Sequence, residues 1–478
     1  MKKLTIFLFM LASGLGSSFA QGLILDSVEF NKLPKAPTTN GSKDFGELPL
    51  KVDLTPHTPT LVAQGKDDQT CVAVSTALIA VATQRATAAG ITDPQQILRR
   101  YALSPLYVFS KLNKDNCKVG LKLTDAANYL RDAGSISFSA LEATTCNDDR
   151  IAAALRRNDE LTRIREVQKV FLNKETDTDI EYAVKSQLAA KRPVVVGIPI
   201  DMGFSRLSND NPYYTPSGSA AKILWHAVTV IGYDDEVNAF KLANSYGTKW
   251  GANGFFWMRY PEFVAYATEG LVMHLYPEKQ PGEKESHVIL GGKFDFKSVT
   301  STPSGLRFNS EMARHLYGGH YELLKKDWKE GQRFQLIAEN TQHGEHICVF
   351  SINEKNKINI HWPRDINYSD ISYGLGESDL IGQSDKIVIP GSKTALRIME
   401  TGTDYLCILY GSNPIKPELQ NILEKVQASS GTMLQRVQNA LGSRLAKDHV
   451  DYISNKMEVF ANPQQGDIIP IILEVNSK

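Results

Sequence analysis

Three polar residues in this sequence have types and settings that could combine into one reaction centre: Cys71, His226 and Asn244. Cys71 closes the polar loop Lys66-Asp67-Asp68-Gln69-Thr70 and opens a mostly small, apolar run that continues through Ala82. That pattern predicts a helix with the cysteine in its first turn, Thr70 as N-cap and Gly90 past its end. A thiol there feels the positive end of the helix macrodipole. The field lowers its pKa and raises the fraction of thiolate, the nucleophilic form. A small, buried, inert cysteine is the competing account of the same residue. A reactive thiol also needs a base, and the base needs an orienting group. His226 begins the run HAVTVIGYDD. Asn244 opens NSYGTKWGANGFFWM, whose Gly247, Gly251 and Gly254 imply tight turns around one polar side chain. Taken singly, His226 reads as a core residue at a strand start and Asn244 as a turn former.

The elements that would carry these residues differ along the chain. Pro49, Pro56 and Pro59 make Leu48 to Gly65 extended. After the Cys71 helix, residues 94–113 are apolar-periodic. Thr124 to Ala133 reads as a short helix capped by Thr124 and stopped by Gly134. Arg150 to Ala190 is highly charged and helical in pattern, which predicts a solvated helical insertion. The pattern then changes to strands: Pro193 to Ile200, a β-branched run, then His226 to Tyr233, Ala239 to Ala243 and Gly254 to Arg259. A helical half before a β half is α+β segregation, not the alternation of a doubly wound sheet.

In that order, QGKDDQTC, HAVTVIGY and NSYGTKWGANGFFWM resemble the papain-like cysteine peptidases. Cys71 and His226 are 226 − 71 = 155 residues apart, and His226 and Asn244 are 244 − 226 = 18 apart. The family places its His and Asn about 130–150 residues after the Cys, and the charged 150–190 stretch absorbs the excess. Leu48-Pro49 with Val52-Asp53-Leu54 resembles the family's mature N-terminal strand. Leu103-Ser104-Pro105 resembles its LSP segment, and Pro193 to Gly197 the strand before its histidine loop. The resemblance covers roughly residues 48–278. It implies a two-lobed domain, a helical lobe beside a β-barrel lobe.

The resemblance also implies roles. Cys71 would be the nucleophile, His226 the base and later the acid, and Asn244 the residue that orients the imidazole. Gln64 would donate its side-chain N–H to the oxyanion beside the backbone N–H of Cys71. The chain departs from the family pattern at four places. Val72 follows the cysteine where the family has Trp. The Gln-to-Cys spacing, 71 − 64 = 7, is one residue long and the loop lacks the usual Cys-Gly pair. Tyr246 replaces a Trp after Asn-Ser, and Trp225 rather than Asp or Asn precedes His226. The arm at 21–47 is short for the family's inhibitory propeptide. A C-terminal half covering the cleft is one way such an enzyme could be restrained.

Across the 478 residues, 42% are hydrophobic, 22% are charged and the net charge is zero. A neutral chain carries no strong field for nucleic acid or for a membrane surface. Lys2-Lys3, the apolar run Leu4 to Leu15 and Ser18-Phe19-Ala20 compose a secretory signal peptide over 1–20. No later stretch is long and apolar enough to span a bilayer. The chain is therefore expected to be secreted, periplasmic or at the cell surface, where disulfides persist. Of five cysteines one must remain unpaired. The partition that keeps each bridge within one apparent domain joins Cys117 to Cys146 and Cys348 to Cys407 and leaves Cys71 free; either pair could instead be reduced and buried.

The expected organisation is a signal peptide at 1–20, a loosely held N-terminal arm at 21–47, a papain-like domain at 48–278, a polar linker at 279–288 and a β-rich accessory domain at 289–478. In the last, short alternating strands at 334–338, 346–351, 358–362, 386–389, 395–399 and 405–410 read as a β-sandwich, followed by helices at 417–427 and 431–445 and a final strand at 468–475. It resembles an uncharacterised β-domain that follows peptidase domains in bacterial secreted proteins. His315, His320, His343, His346 and His361 fit no standard ligand spacing, so neither a metal nor a cofactor is expected. The functional expectation is a secreted cysteine peptidase that hydrolyses peptide or protein substrates through a thioester acyl-enzyme. Its rivals are a catalytically inactive papain-like scaffold used for binding or adhesion, and an acyl transferase with the same intermediate. Asp67 and Asp68 read as a solvated loop.

Overall fold

The computed structural model describes residues 22–478 apart from 38–47, 114–116, 158, 174–176, 218–223, 277–288, 304, 342–344, 365–375, 383–385, 392–393 and 454–455. The expected signal peptide and linker, and His343, lie outside the described residues.

The first half is built on one helix and one sheet. Helix α1, Cys71–Ala89, runs unbroken to Gly90; contrary to expectation its 19 residues are long and apolar enough to span a bilayer, and most of that apolar surface is buried inside the fold. Gly90 takes φ +67°, the left-handed region glycine tolerates. Between Val74 and Ala80 the helix widens to π geometry, and Val81 N–H donates to Thr76 O. Thr70 occupies the cap position, but its side chain makes no capping bond. Residues 94–113 form two helices, α2 (Pro94–Tyr101) and α3 (Pro105–Leu112), with Asp93 and Ser104 as their caps. Helix α4 is Leu123–Asp132 and starts from Lys122, so Thr124 lies inside it rather than capping it.

The sheet has seven antiparallel strands. They are β1 (Lys51–Asp53), β2 (Ile164–Leu172), β3 (Val194–Ile200), β4 (Leu224–Asp234), β5 (Ala239–Ala243), β6 (Phe255–Arg259) and β7 (Glu269–Leu275). The order is β2-β7-β3-β4-β5-β6, with β1 paired to β4. One apolar cluster gathers the sheet's Val194, Val228 and Phe256 with Leu78 and Tyr101. A second gathers Cys71, Val72, Leu106, Leu123 and Leu130. Because α1 contributes to both, its N-terminus is held where the two meet.

Two expectations fail in this half. Residues 150–190 are not a helical insertion: strand β2 runs through their middle, between a one-turn helix at Arg150–Ala154 and a helix at Asp177–Ala189. Its charges meet partners distant in sequence: Lys169 is 1% exposed and donates from Nζ to Asn31 Oδ1 at 2.6 Å. The described part of the arm, 22–37, is not loosely held either. Leu23, Phe30, Leu33 and Ala36 are buried. Ala36 N–H donates to Lys169 O, and Lys169 N–H returns the bond to Pro34 O.

In the second half two seven-stranded sheets enclose one apolar core that contains Phe294, Leu336, Ile347, Leu406 and Ile471. Helices α5 (Leu419–Ala428) and α6 (Met433–Leu441) cover the outer face of the sheet containing Glu345–Asn353 and Gly402–Gly411. The hairpins between 290 and 323 and the strand pair at 450–461 were not anticipated. The halves meet at β2: Arg165 donates to Ser412 O at 2.8 Å, and Ser378 donates to Glu166. Glu345, buried near this seam, has its carboxyl pushed up to about 8 by burial.

Cys117 and Cys146 are bridged as expected. Cys348 and Cys407 are not; both thiols are free and buried. They lie on adjacent antiparallel strands, but Cys348 faces Leu409 and Cys407 faces Phe350. That diagonal places their Cα atoms roughly 7–8 Å apart, beyond the about 4.4–6.8 Å a disulfide spans. Alkylation in denaturant without reductant, read by intact mass, should therefore label three thiols, rising to five after reduction. One labelled thiol before reduction would mean that the second bridge exists.

Candidate active site

The candidate residues come from four separate pieces of chain. Cys71 starts α1, and His226 lies near the start of β4. Asn244 directly follows β5, and Gln64 precedes the loop into α1. Helix and strand are tied at their near ends: Ser75 Oγ donates to Ala227 O at 2.9 Å, and Thr229 Oγ1 donates to Ser75 O at 3.1 Å. Ser75 lies in the π-widened stretch, and its carbonyl accepts the second bond. Cys71 Sγ consequently accepts from the backbone N–H of Ala227, the residue after His226, at 3.4 Å.

His226 and Asn244 are fully buried, and His226 Nε2 meets Asn244 Oδ1 at 2.8 Å. Asn244 Oδ1 also accepts from Ser245 N–H. An amide oxygen can only accept, so Nε2 carries the proton and Nδ1 is an unprotonated acceptor. Nδ1 is buried with no hydrogen-bond partner. Tyr246, in the position where the sequence lacks the family's Trp, lies with its ring centre 5.1 Å from the imidazole. Phe204 flanks the imidazole at 5.7 Å and packs at a tilt against Trp250, with ring centres 4.7 Å apart. This aromatic wall was not anticipated; Phe204 lies in a loop whose sequence gave no sign of it.

Gln64 joins the same network. Its Oε1 accepts from Ser245 Oγ at 2.6 Å, and its Nε2 donates to Asp68 O at 2.6 Å. Asp68 is not a solvated residue as expected. Its carboxylate folds over Gly65 and accepts from Cys146 N–H at 2.8 Å, while Asp67 is exposed. A Cβ at Gly65 would stand 2.0 Å from Asp68 Oδ2, so a side chain there would displace the Asp68 carboxylate. Asp68 and the bridged Cys117 and Cys146 form a compact group, but the sulfurs are joined to each other and are not free to ligate.

The cleft beside Cys71 is filled by the chain's own N-terminal segment. A Cβ at Gly22 would lie 2.7 Å from Cys71 Sγ and 2.5 Å from Gln69 O. Leu121 N–H donates to Gly22 O, and Ile24 N–H donates to Leu121 O, both at 2.9 Å. On the other wall Leu23 N–H reaches Trp225 O at 3.4 Å. Segment 22–25 is thus a strap paired to both sides. Among the described residues, the C-terminal half touches β2 and the arm near Lys35 rather than Cys71.

The strap changes the expected electrostatics. The helix N-terminus was expected to lower the Cys71 pKa, but burial pushes the thiol up to about 12, outweighing the N–H bonds of Ala227 and Val72. Burial likewise pulls His226 down to about 4, against the opposing bond to Asn244. The covered site therefore holds a neutral thiol and a neutral imidazole at pH 7.

Residues 49–270 match the family described as papain family cysteine protease, so the chain carries a papain-family cysteine protease domain, a hydrolase domain. The chain is similar to an uncharacterized peptidase C1-like protein of Acanthamoeba polyphaga mimivirus, 29% identical over 124 residues. That match covers 24% of this chain and 39% of the relative, about two fifths of the relative's length. Among solved structures it is similar to xylellain, a cysteine protease from Xylella fastidiosa, at 21% identity and TM-score 0.41, covering 55% of this chain and 98% of that one. It is also similar to a bromelain protease from Ananas comosus, at 21% identity and TM-score 0.36, covering 48% and 100% of the two chains.

Two measurements check the strap. Alkylation of Cys71 in the intact protein should stay slow from pH 6 to 9 and quicken only as pH climbs towards the raised thiol pKa. Gly22→Ala, whose methyl group meets Sγ, should accelerate it about tenfold at pH 7, since overpacking costs about 1–3 kcal/mol. Equal rates for the two proteins would show that the strap does not cover the thiol.

Proposed function

We propose that this chain is an exported thiol peptidase, latent while residues 22–25 lie in its cleft. The observation that carries the reading is the state of His226: Nε2 is committed to Asn244, and Nδ1 is unpaired in the site that also holds Cys71. An imidazole so arranged takes a proton at one defined atom.

In the open site, Cys71 gives its proton to His226 Nδ1, and the thiolate attacks the carbonyl carbon of a peptide bond. The carbonyl oxygen takes up negative charge facing the backbone N–H of Cys71 and an Nε2–H of Gln64. Collapse of that intermediate expels the amine, which takes its proton from the imidazolium, and leaves a thioester on Cys71. Water, deprotonated by His226, hydrolyses the thioester and restores thiol and imidazole. Asn244 keeps the ring aimed throughout, and Tyr246 and Phe204 shield the His226–Asn244 bond from water.

The proposal extends to organisation. We read 48–278 as the peptidase domain with two lobes, a division supported by its two separate apolar clusters. Residues 289–478 would be an accessory β-sandwich, supported by two sheets around a shared core. Export rests on the leader-like residues 1–20, outside the described part, and is consistent with the Cys117–Cys146 bridge.

An epoxysuccinyl thiol-peptidase inhibitor tests the reading. With the strap displaced by Gly22→Ala, one inhibitor per chain should attach at Cys71, and His226→Ala should slow attachment by about 10²–10⁴-fold, the usual contribution of a positioned base. Gln64→Ala should lower turnover by about 10²–10³-fold through loss of an oxyanion donor. Folded, reduced protein with an open cleft and no labelling would overturn the assignment.

A further inference from the structure

Gln64 carries its amide on a flexible side chain, and two bonds decide which way that amide faces. Ser245 Oγ donates to Gln64 Oε1 at 2.6 Å, and Gln64 Nε2 donates to the backbone carbonyl of Asp68 at 2.6 Å. A carbonyl only accepts, so Asp68 O fixes the nitrogen end of the amide. Nε2 carries two hydrogens. One goes to Asp68 O, and the second remains for a substrate oxyanion. The aim of that second N–H therefore follows the position of the Asp68 carbonyl.

Asp68 lies in the loop between Gln64 and Cys71, where the spacing of 71 − 64 = 7 is one residue longer than the family pattern. The carbonyl of Asp68 belongs to the same peptide plane as the N–H of Gln69, and in a trans peptide the two point opposite ways. Gln69 N–H donates to Cys117 O at 2.9 Å, so one edge of this plane is held by Cys117 and the other meets Gln64. The Asp68 side chain adds a second tie: Oδ2 accepts from Cys146 N–H at 2.8 Å. A carboxylate bonded to an N–H is charge-assisted, roughly twice as strong as a neutral pair. Asp68 is 8% exposed, and among the described residues it has no ion-pair partner, so this N–H is what its carboxylate serves. Cys146 is itself bridged to Cys117. One covalently closed frame thus grips the peptide plane that aims Gln64, through Gln69 on one side and the Asp68 carboxylate on the other.

We propose that Asp68 is a positioning residue for the oxyanion site: its carboxylate, bonded to the N–H of the bridged Cys146, sets the carbonyl that aims Gln64. It acts through Gln64 and touches no substrate. This rests on the reading of Gln64 as an oxyanion donor in a peptidase.

One test needs no turnover. Full-length protein labelled with 15N-glutamine, its strap in place, reports the amide by NMR. The Gln64 side-chain signal, identified by its absence from Gln64→Ala, should carry a slowly exchanging hydrogen. Asp68→Ala should speed that exchange about tenfold, the effect of losing one hydrogen bond to a charged group. Asp68→Asn, whose amide oxygen still accepts from Cys146 N–H, should keep it slow. Asp68→Leu has nearly the shape of Asp but no acceptor; it should match Asp68→Ala, and it keeps the loop packed should truncation unfold it. Exchange left unchanged by the loss of the acceptor overturns the proposal.

A second test uses the full-length Gly22→Ala protein and a fluorogenic peptide. Asp68→Ala should lower kcat about tenfold with KM unchanged, a part of the about 10²–10³-fold that the donor itself supplies. Asp68→Asn should restore most of that rate. In a Gln64→Ala background Asp68→Ala should cost nothing further, because a residue that works only through Gln64 has nothing left to aim. An equal loss with and without Gln64, or a change in KM alone, overturns the proposal. Failure of every variant to cleave any peptide would count against the peptidase reading, and the amide measurement would still decide whether Asp68 holds Gln64.

Discussion

The seam between α1 and β4 is the constraint on which the site depends. Two side-chain hydrogen bonds, from Ser75 to Ala227 O and from Thr229 to Ser75 O, fix the start of the helix against the start of the strand. Both are fully buried, so breaking either would strand a polar group at a cost of about 1–3 kcal/mol. A helix carbonyl has a second lone pair, and Ser75 O uses it towards the strand. Both bonds engage Ser75, which lies in the π-widened stretch Val74–Ala80. Through this seam a cysteine 155 residues before a histidine comes to share its pocket. The bonds from Ser245 to Gln64 and from His226 to Asn244 extend the seam into one hydrogen-bonded frame.

The same burial that organises the frame silences it. A thiolate–imidazolium pair needs solvent or a substrate carbonyl around it, and the strap removes both. Desolvation outweighs the helix N-terminus at Cys71 and the Asn244 bond at His226, so both groups stay neutral. The strap is anchored well away from the thiol. Phe30 and Leu33 are buried, Lys122 pairs with Asp26 at 2.7 Å, and Ala36 exchanges backbone bonds with β2. Strand β2 is also where the C-terminal half docks, so the strap's anchor and the C-terminal half share one edge of the sheet.

Much of this was legible in the sequence, and the failures have physical causes. The β-branched run at 193–200 and the strand candidates at 226–233 and 239–243 became strands at nearly the expected bounds, because strands buried on both faces read as near-continuous apolar runs. Cys71, His226, Asn244 and Gln64 were singled out by their neighbours and are brought together. Strand β2 was missed because Arg165, Glu166 and Lys169 mimic a solvated helix. What buries them comes from Asn31 and Ser378, far away in sequence. The strap was missed because 21–47 is polar on average, although Leu23, Phe30, Leu33 and Ala36 were visible anchors. Asp68 looked like a surface charge; its partner, Cys146 N–H, is 78 residues away. The Cys348–Cys407 pairing failed because domain membership says nothing about register, and the two strands are offset by one diagonal.

The central claim is that His226 makes Cys71 a nucleophile that carries the acyl group of a peptide. Acid quenching of the strap-released protein during turnover of a peptide ester, followed by mass spectrometry of the Cys71 peptide, tests it most directly. The account predicts a transient mass increase equal to the acyl group on Cys71, absent from His226→Ala. Hydrolysis with no acyl adduct, or hydrolysis that persists in Cys71→Ala, would contradict it.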